Sequence, residues 1–425
     1  MIKEQTVHKQ EKPITEGNKQ PSQTGYRWVI LALIWFLYFA CTLVSRSMAP
    51  LVTPIIKDIN VSYSQMGFIL GAWSLVYIVV SVMGGAFIDK WGIRKCLFIG
   101  IVIVGISEIL RYFANGFIAM FLFVALFGLG GPMITIGSPK TVALWFTGKE
   151  RGTGVAIYMT GARIGEITAY SLTNSVIMPL TGNSWRLTFV YYGLVVLVIA
   201  LVWLVLGRDA KSTATEAKAA TAKTSMIKVF RNLIGMRSVQ LIFIMGFLSL
   251  AIGHSINDWL PKILENGGLP PVVAGYAASV PILVGMPLSL VALRLIPPNL
   301  RGLSVALGAL LLIIALVMVV TTSGVSLVIG LVLYGIAHIF GMPFLILMLM
   351  DMPEVGSRYM GSAGGLYFCI AHIGGFAGPL MIGTLVDFTG SFMVGVILLA
   401  GMSLAMSVIA LFLKTAHIPK VVTPA

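Results

Sequence analysis

The chain has 425 residues, of which 58% are apolar and only 10% are charged, with a formal net charge of +14. A mean hydropathy of +0.96 excludes a soluble globular protein, which needs far more charged surface. The excess of cations would point to nucleic acid in a soluble domain. Here the cations lie between apolar segments, so we expect a membrane protein without a nucleic-acid partner.

The N-terminal residues 1–26 are polar and lack the short apolar core and cleavage site of a signal peptide. They are predicted to form a disordered cytoplasmic tail. The three cysteines, Cys41, Cys96 and Cys369, are far apart and have no disulfide or metal-ligand spacing. We therefore expect neither a metal nor a cofactor.

Twelve apolar segments follow the tail, and each is long enough to cross a bilayer as a helix. They cover about residues 27–56, 63–88, 96–115, 117–146, 152–178, 187–207, 238–264, 271–293, 301–321, 325–350, 358–387 and 390–414, and are called spans 1 to 12 below. The tails and the loops on one side hold about 22 of the 29 Lys and Arg residues, and the opposite loops hold about four. This asymmetry places both termini in the cytoplasm of a multi-pass plasma-membrane (cytoplasmic-membrane) protein.

The longest polar segment between spans, residues 208–237, divides the spans into two sets of six. It is predicted to be a cytoplasmic linker between an N-terminal bundle, 27–207, and a C-terminal bundle, 238–414, which is followed by a tail, 415–425. The segment that begins at Tyr158 resembles the one that begins at Tyr367, which fits a duplicated unit. The predicted fold is an all-α membrane protein with two pseudo-symmetric six-helix bundles and a substrate site between them.

A short charged turn lies between spans 2 and 3. Its pattern, G-x-x-x-D-[RK]-x-G-x-[RK]-[RK], is formed by Gly85, Asp89, Lys90, Gly92, Arg94 and Lys95. Basic loops of this length resist translocation, so the turn marks the cytoplasmic side. The pattern resembles the loop signature of the major facilitator superfamily at every position. A basic hairpin without a gating role is the alternative.

The resemblance covers residues 27–414 and implies a transporter that works by alternating access, with spans 1, 4, 7 and 10 lining the central cavity. It also implies that Arg151, Glu354 and Arg358 form salt bridges with the charged turn that close the cytoplasmic side. Loop charges that contribute little are the alternative.

Two further segments, one at Trp259, Pro261 and Lys262 and a glycine-rich one that begins at Gly374, look like the cyanate/nitroimidazole-type branch of the superfamily. Span 4 lacks the arginine of many members, and span 5 lacks the Gly-Pro signature of proton-driven drug antiporters. Drug export is therefore disfavoured.

Ionisable side chains at membrane depth are costly, by about 2.5–3.5 kcal/mol on insertion scales, so each requires a partner or a wet cavity. Arg46 in span 1 can bind a carboxylate with two parallel hydrogen bonds, although it could also reach the outer surface. The pairing of Arg46 with Tyr77 of span 2 resembles the organic-anion symporters of the superfamily, which implies that both contact substrate. Packing with a satisfied hydroxyl is the alternative for Tyr77.

Arg163 and Glu166 lie three residues apart on one face of span 5. They fit either a structural ion pair, or a titrating Glu166 with an Arg163 that alternates between it and a substrate anion. Asp258 in span 7 is a candidate proton site or outer gate. His338, a candidate substrate contact, and His372, a candidate proton carrier, lie in spans 10 and 11, and histidine titrates near pH 6.5.

Glu108 and Arg111 share a face near the outer end of span 3 and are interpreted as a structural pair. No nucleophile–base spacing, metal cluster or phosphate loop stands out, so we predict no catalytic residue and no enzyme.

These observations predict a secondary transporter that imports a small, carboxylate-like organic anion by proton symport. Its partners would be the small-molecule substrate, protons and the lipid bilayer, and we expect a monomer. The first alternative is a facilitator or exporter of a small neutral or cationic compound. A nutrient sensor that transports nothing is the alternative of another class.

Overall fold

The computed structural model describes residues 21–209, 233–352 and 355–413, and every regular element within these ranges is helical. Nine spans consist of one long α-helix: Tyr63–Trp91 (span 2), Ile93–Leu110 (span 3), Phe117–Trp145 (span 4), Trp185–Leu206 (span 6), Arg237–Asn266 (span 7), Pro271–Leu295 (span 8), Arg301–Thr321 (span 9), Gly356–Thr389 (span 11) and Phe392–Phe412 (span 12). The predicted fold class is confirmed.

Span 5 is the most polar crossing. It consists of the helix Lys149–Leu172, the π-helical turn Thr173–Ile177 and the short helix Met178–Leu180. Eleven helical segments of the described chain are long and apolar enough to cross a membrane by composition alone, and span 5 is not among them. Its charged and polar side chains lower its hydropathy, so it depends on the other helices to cover them.

Spans 1 and 10 are each broken into two helices. Span 1 consists of Pro21–Arg46 and Val52–Ile59, with the 3₁₀ turn Ala49–Leu51 between them. Span 10 consists of Gly324–His338 and Met342–Met350. Pro50 and Pro343 lie at these breaks, where a proline without an N–H removes a hydrogen bond from a continuous helix. Both breaks therefore bring irregular backbone to membrane depth.

The charged turn is very short. Span 2 ends at Trp91, and Gly92 alone separates it from span 3. Gly92 has a φ of +83°, which favours glycine, and its N–H donates to the Ile88 carbonyl at 3.0 Å. A single glycine thus reverses the chain at the end predicted to be cytoplasmic.

The two halves pack along spans 2 and 11 and along spans 5 and 8. A Cβ atom at Gly67 would lie 2.3 Å from the Pro379 carbonyl oxygen, and one at Gly275 would lie 2.2 Å from the Tyr170 carbonyl oxygen. In lipid, helices associate through such close packing rather than through a hydrophobic drive. Glycine is therefore required where these helices cross.

Polar contacts also join the two halves at the end predicted to be the outer face. The Asp387 carboxylate accepts the backbone N–H groups of Tyr63 at 2.9 Å and of Ser64 at 2.7 Å, so a residue of span 11 caps span 2. The hydroxyls of Ser171 and Ser279 lie 2.7 Å apart. The halves are thus held together at this face.

At the opposite end, the described ion pairs lie within one half. Arg27 of span 1 contacts Glu150 of span 5 at 2.6 Å, and Arg301 contacts Asp351. These pairs stabilise each half without joining it to the other.

Most of the predicted linker and tails, residues 1–20, 210–232 and 414–425, lies outside the described residues. The first helix begins at Pro21, within the segment 1–26 that the sequence assigns to the tail. The predicted bundle boundaries stay a prediction.

We expect Gly67→Ala to lower the stability of the protein by about 1–3 kcal/mol, because the added methyl group cannot fit against backbone without separating spans 2 and 11. Gly401→Ala is the matched control, since a Cβ there meets no heavy atom within 4 Å. Thermal unfolding of the purified variants in detergent measures the difference. Equal midpoints for the two variants would contradict the importance of this crossing.

Candidate functional site

The guanidinium of Arg46 lies between the two halves of the protein. Its Nη1 is 2.6 Å from Asp258 Oδ1 of span 7, and its Nε is 3.3 Å from Glu166 Oε1 of span 5. Arg46 ends the first helix of span 1 and is 9% exposed, while Glu166 and Asp258 are 3% and 2% exposed. Three spans from both halves therefore meet at one buried cation.

A second guanidinium extends this cluster. Arg163 Nη1 is 3.3 Å from Glu166 Oε2, so Glu166 lies between two arginines. The Arg163 side chain is 45% exposed. Two cations and two carboxylates compensate each other in the cluster, which has no net charge when all four are ionised.

Hydroxyl and amide groups surround the charged cluster on its outer side. Tyr170 donates a hydrogen bond to the Asn257 carbonyl at 2.6 Å, across the interface between the halves. Tyr334 donates to Asn257 Oδ1 at 3.2 Å, and its ring centre is 5.7 Å from that of His338. His338 is the last residue of the first helix of span 10, at the break.

A group of aromatic and imidazole rings lies closer to the predicted inner side. Tyr77 stacks on His372 with ring centres 4.1 Å apart, and its hydroxyl is 2.8 Å from Thr135 Oγ1. Trp73 stacks on His254 at 5.1 Å. His372 Nδ1 lies 2.8 Å from the carbonyl oxygen of Phe368, its own helix neighbour one turn earlier. The structure thus brings Tyr77 and His372 together in one contact between spans 2 and 11.

Sequence reasoning missed His254, Trp73 and Thr135 as members of this region. His254 precedes Asp258 by four residues in span 7, so both lie on one helix face. That spacing was a usable signal. Trp73 and Thr135 carry no comparable signal, because uncharged side chains of these types occur at many packed positions.

The residues predicted to form a cytoplasmic gate are only partly described. Lys90 and Lys95 are exposed. The Arg94 guanidinium donates to the Leu204 carbonyl at 2.7 Å, and Arg151 Nη2 donates to the Ala143 carbonyl at 2.9 Å. Both contacts lie within the N-terminal half.

Glu354 lies outside the described residues. Gly85, Asp89 and Arg358 belong to described helices, but the burial and contacts of these three residues fall outside the description. The gating role of the whole group therefore stays a prediction.

Comparison with known proteins is consistent with this architecture. Residues 34–379 match the family model described as Major Facilitator Superfamily. The chain is 24% identical over 394 residues to the hexuronate transporter of Bacillus subtilis (strain 168), covering 87% of this chain and 91% of that protein. It is 25% identical over 401 residues to the probable sulfoacetate transporter SauU of Cupriavidus necator, covering 86% and 89%.

The fold is also similar to solved structures. The inward open conformation of the xylose transporter XylE from E. coli gives a TM-score of 0.73 at 13% identity, covering 93% of this chain and 98% of that chain. At this identity the similarity concerns the fold alone.

We expect Arg46→Met to destabilise the protein by about 3–5 kcal/mol, because it leaves buried carboxylates without their cation. Adding Asp258→Asn should recover part of that loss, since it removes one uncompensated charge. The pair of half-buried Arg27 with exposed Glu150 is the control, and Arg27→Met should cost clearly less than Arg46→Met because Glu150 stays solvated without its partner. Thermal unfolding of the single and double variants measures these differences in stability. Strictly additive losses of stability for Arg46→Met and Asp258→Asn would contradict the pairing of the two residues.

Proposed function

This chain belongs to the Major Facilitator Superfamily, and we propose that it carries a small organic anion across the cytoplasmic membrane by alternating access, coupled to protons. The superfamily consists of multi-pass membrane transporters. Two relatives at 24% and 25% identity are named as transporters of hexuronate and sulfoacetate, which are both organic anions. Their names support the substrate class.

The observation that carries the proposal is the position of Arg46 between the two halves. A guanidinium offers a fork of donors that suits a carboxylate, yet here two carboxylates on different spans share it. A substrate carboxylate can therefore take the place of Asp258 on Arg46. That exchange would release span 7 from span 1 and so connect substrate binding to movement of the halves.

Charge balance supports proton coupling. The cluster of Arg46, Arg163, Glu166 and Asp258 has no net charge, so an anion that enters it adds an uncompensated charge in a medium of low dielectric constant. A proton on Asp258 or Glu166 removes that cost and also frees a guanidinium for the anion. We infer that the anion and protons move together, with about one proton for each negative charge of the substrate.

Arg163 is the second proposed anion contact, because its side chain is the more accessible cation of the cluster. Tyr77 and His338 would contact the rest of the substrate from opposite halves. His372 is the further proposed proton carrier, in contact with Tyr77. The charged turn would close the cytoplasmic side when the site faces outward.

Counterflow of labelled D-glucuronate and sulfoacetate in proteoliposomes tests the proposal. Wild-type protein should exchange at least one of these anions, and Arg46→Lys should lower the uptake by about 10–100-fold, because lysine keeps the charge but loses the fork. Arg27→Lys, in an ion pair at the predicted cytoplasmic end and away from the site, is the matched control and should transport normally.

Other results of this assay would favour the alternatives. Uptake of a neutral or cationic compound that is unaffected by Arg46→Lys would favour a facilitator or exporter. Ligand-induced stabilisation of the protein without counterflow of any compound would favour a sensor.

Asp258→Asn should separate exchange from proton coupling. The amide cannot release a proton, so an imposed pH gradient should no longer drive accumulation of the anion, while exchange at equal pH persists. Accumulation in wild-type and variant proteoliposomes, with and without the gradient, measures this difference. Gradient-driven accumulation by the variant at the wild-type level would exclude Asp258 as the proton site.

A further inference from the structure

A second buried charge cluster lies behind span 1, away from the interface between the halves. Glu108 of span 3 is fully buried and Arg111 is 2% exposed. Arg111 Nη1 is 2.6 Å from Glu108 Oε2, and its guanidinium lies 5.2 Å from the centre of the Phe189 ring of span 6. All of these residues belong to the N-terminal half.

This ion pair has one bonded neighbour on span 1, the hydroxyl of Ser47. The Ser47 hydroxyl lies 2.6 Å from Glu108 Oε1 and 2.9 Å from the Val44 carbonyl oxygen, and the carboxylate oxygen is the nearer acceptor for its single proton. Arg111 Nη1 approaches the same hydroxyl at 3.4 Å. Ser47 follows Arg46 directly, at the point where the first helix of span 1 ends and before the 3₁₀ turn Ala49–Leu51. The pair therefore contacts span 1 at its break.

The backbone at this break has fewer hydrogen bonds of its own than a continuous helix, although the Leu51 N–H donates to the Met48 carbonyl at 2.9 Å. Pro50 cannot donate one, and Ser47 and Met48 lie between two helical elements. Successive residues on a helix point about 100° apart, so Ser47 can face span 3 while Arg46 faces spans 5 and 7. A bond that fixes Ser47 consequently fixes the direction in which Arg46 leaves the chain.

We propose that Glu108, held by Arg111, is a positioning residue that acts through Ser47 to hold Arg46 against Asp258 and Glu166. The inference rests on the proposed function only for its effect on transport. Independently of transport, it states that the Glu108–Arg111 pair is coupled to the cluster around Arg46, although the two share no side chain. An ion pair that served packing alone would give no such linkage.

Ser47→Ala is the sharpest test, because it leaves both members of the Glu108–Arg111 pair in place and removes their connection to span 1, together with the hydroxyl's contact with the Val44 carbonyl of its own helix. Ser403→Ala is the matched control, since Ser403 is equally buried but bonds the Leu399 carbonyl within span 12. Each variant is combined with Asp258→Asn, and the thermal midpoints of the single and double variants form two double-mutant cycles.

Positioning predicts that the effects of Ser47→Ala and Asp258→Asn on the midpoint are not additive, although the two residues do not touch. The effects of Ser403→Ala and Asp258→Asn should be additive. Ser47→Thr keeps a hydroxyl and should restore the wild-type coupling. Additive behaviour in both cycles would overturn the proposal, and this readout needs no substrate.

Transport gives the second readout. In the counterflow assay with D-glucuronate or sulfoacetate, Ser47→Ala should raise KM by about three- to tenfold, with a smaller change in maximal rate, because Arg46 is less well placed to bind the anion. Ser403→Ala should leave KM unchanged. A lower amount of active protein at unchanged KM would indicate a purely structural role, whereas the absence of anion exchange by wild-type protein would contradict the proposed function instead.

Discussion

The buried guanidinium of Arg46 is the interaction on which the interface between the two halves depends. Lipid supplies no hydrophobic drive between helices, so the halves associate through close packing and polar contacts. A cation at this depth must remain compensated, and its partners Glu166 and Asp258 belong to different halves. Separation of the halves at this level therefore requires a new partner for Arg46 or a protonated carboxylate.

The described contacts in which a carboxylate joins the two halves all have the same direction. The C-terminal half contributes carboxylates, Asp258, Glu265 and Asp387, and the N-terminal half contributes the donors that they accept. These donors are a guanidinium, the Thr53 hydroxyl and the first backbone N–H groups of span 2. A protonated carboxylate accepts hydrogen bonds less well than an ionised one. Protonation of these C-terminal carboxylates alone would therefore weaken the contacts between the halves. Glycine-to-backbone crossings provide the remaining attraction and are indifferent to pH.

The amino-acid sequence predicts where the membrane spans lie, but it does not predict which residues of different spans contact each other. Hydropathy and the distribution of Lys and Arg predict the twelve spans, since each depends on local composition. Arg46 and Asp258 were both singled out, but their contact joins residues 212 positions apart, and one sequence carries no information on such pairs. The sequence also does not predict that the helices of spans 1 and 10 are interrupted, because a proline in an apolar segment indicates a bend without giving its size.

Exposure changes along the face of span 5 that carries the charged cluster. Arg163, Glu166 and Tyr170 follow each other at three- and four-residue steps on one helix face, towards the predicted outer end. Their exposure falls in that order, from 45% for the Arg163 side chain to 3% for Glu166 and 1% for Tyr170.

The more exposed end of this face, where Arg163 lies, is the one nearer the predicted cytoplasmic side. At the buried end, Tyr170 donates a hydrogen bond to the Asn257 carbonyl and so joins the two halves. This bond, the Ser171–Ser279 contact and the cap of span 2 by Asp387 are described contacts between the halves at the predicted outer face. Arg163 therefore carries the more accessible guanidinium of the cluster, whereas Arg46 contacts carboxylates of both halves. In the proposed cycle an anion would meet Arg163 first, and its exchange with Asp258 on Arg46 would transmit binding to the other half.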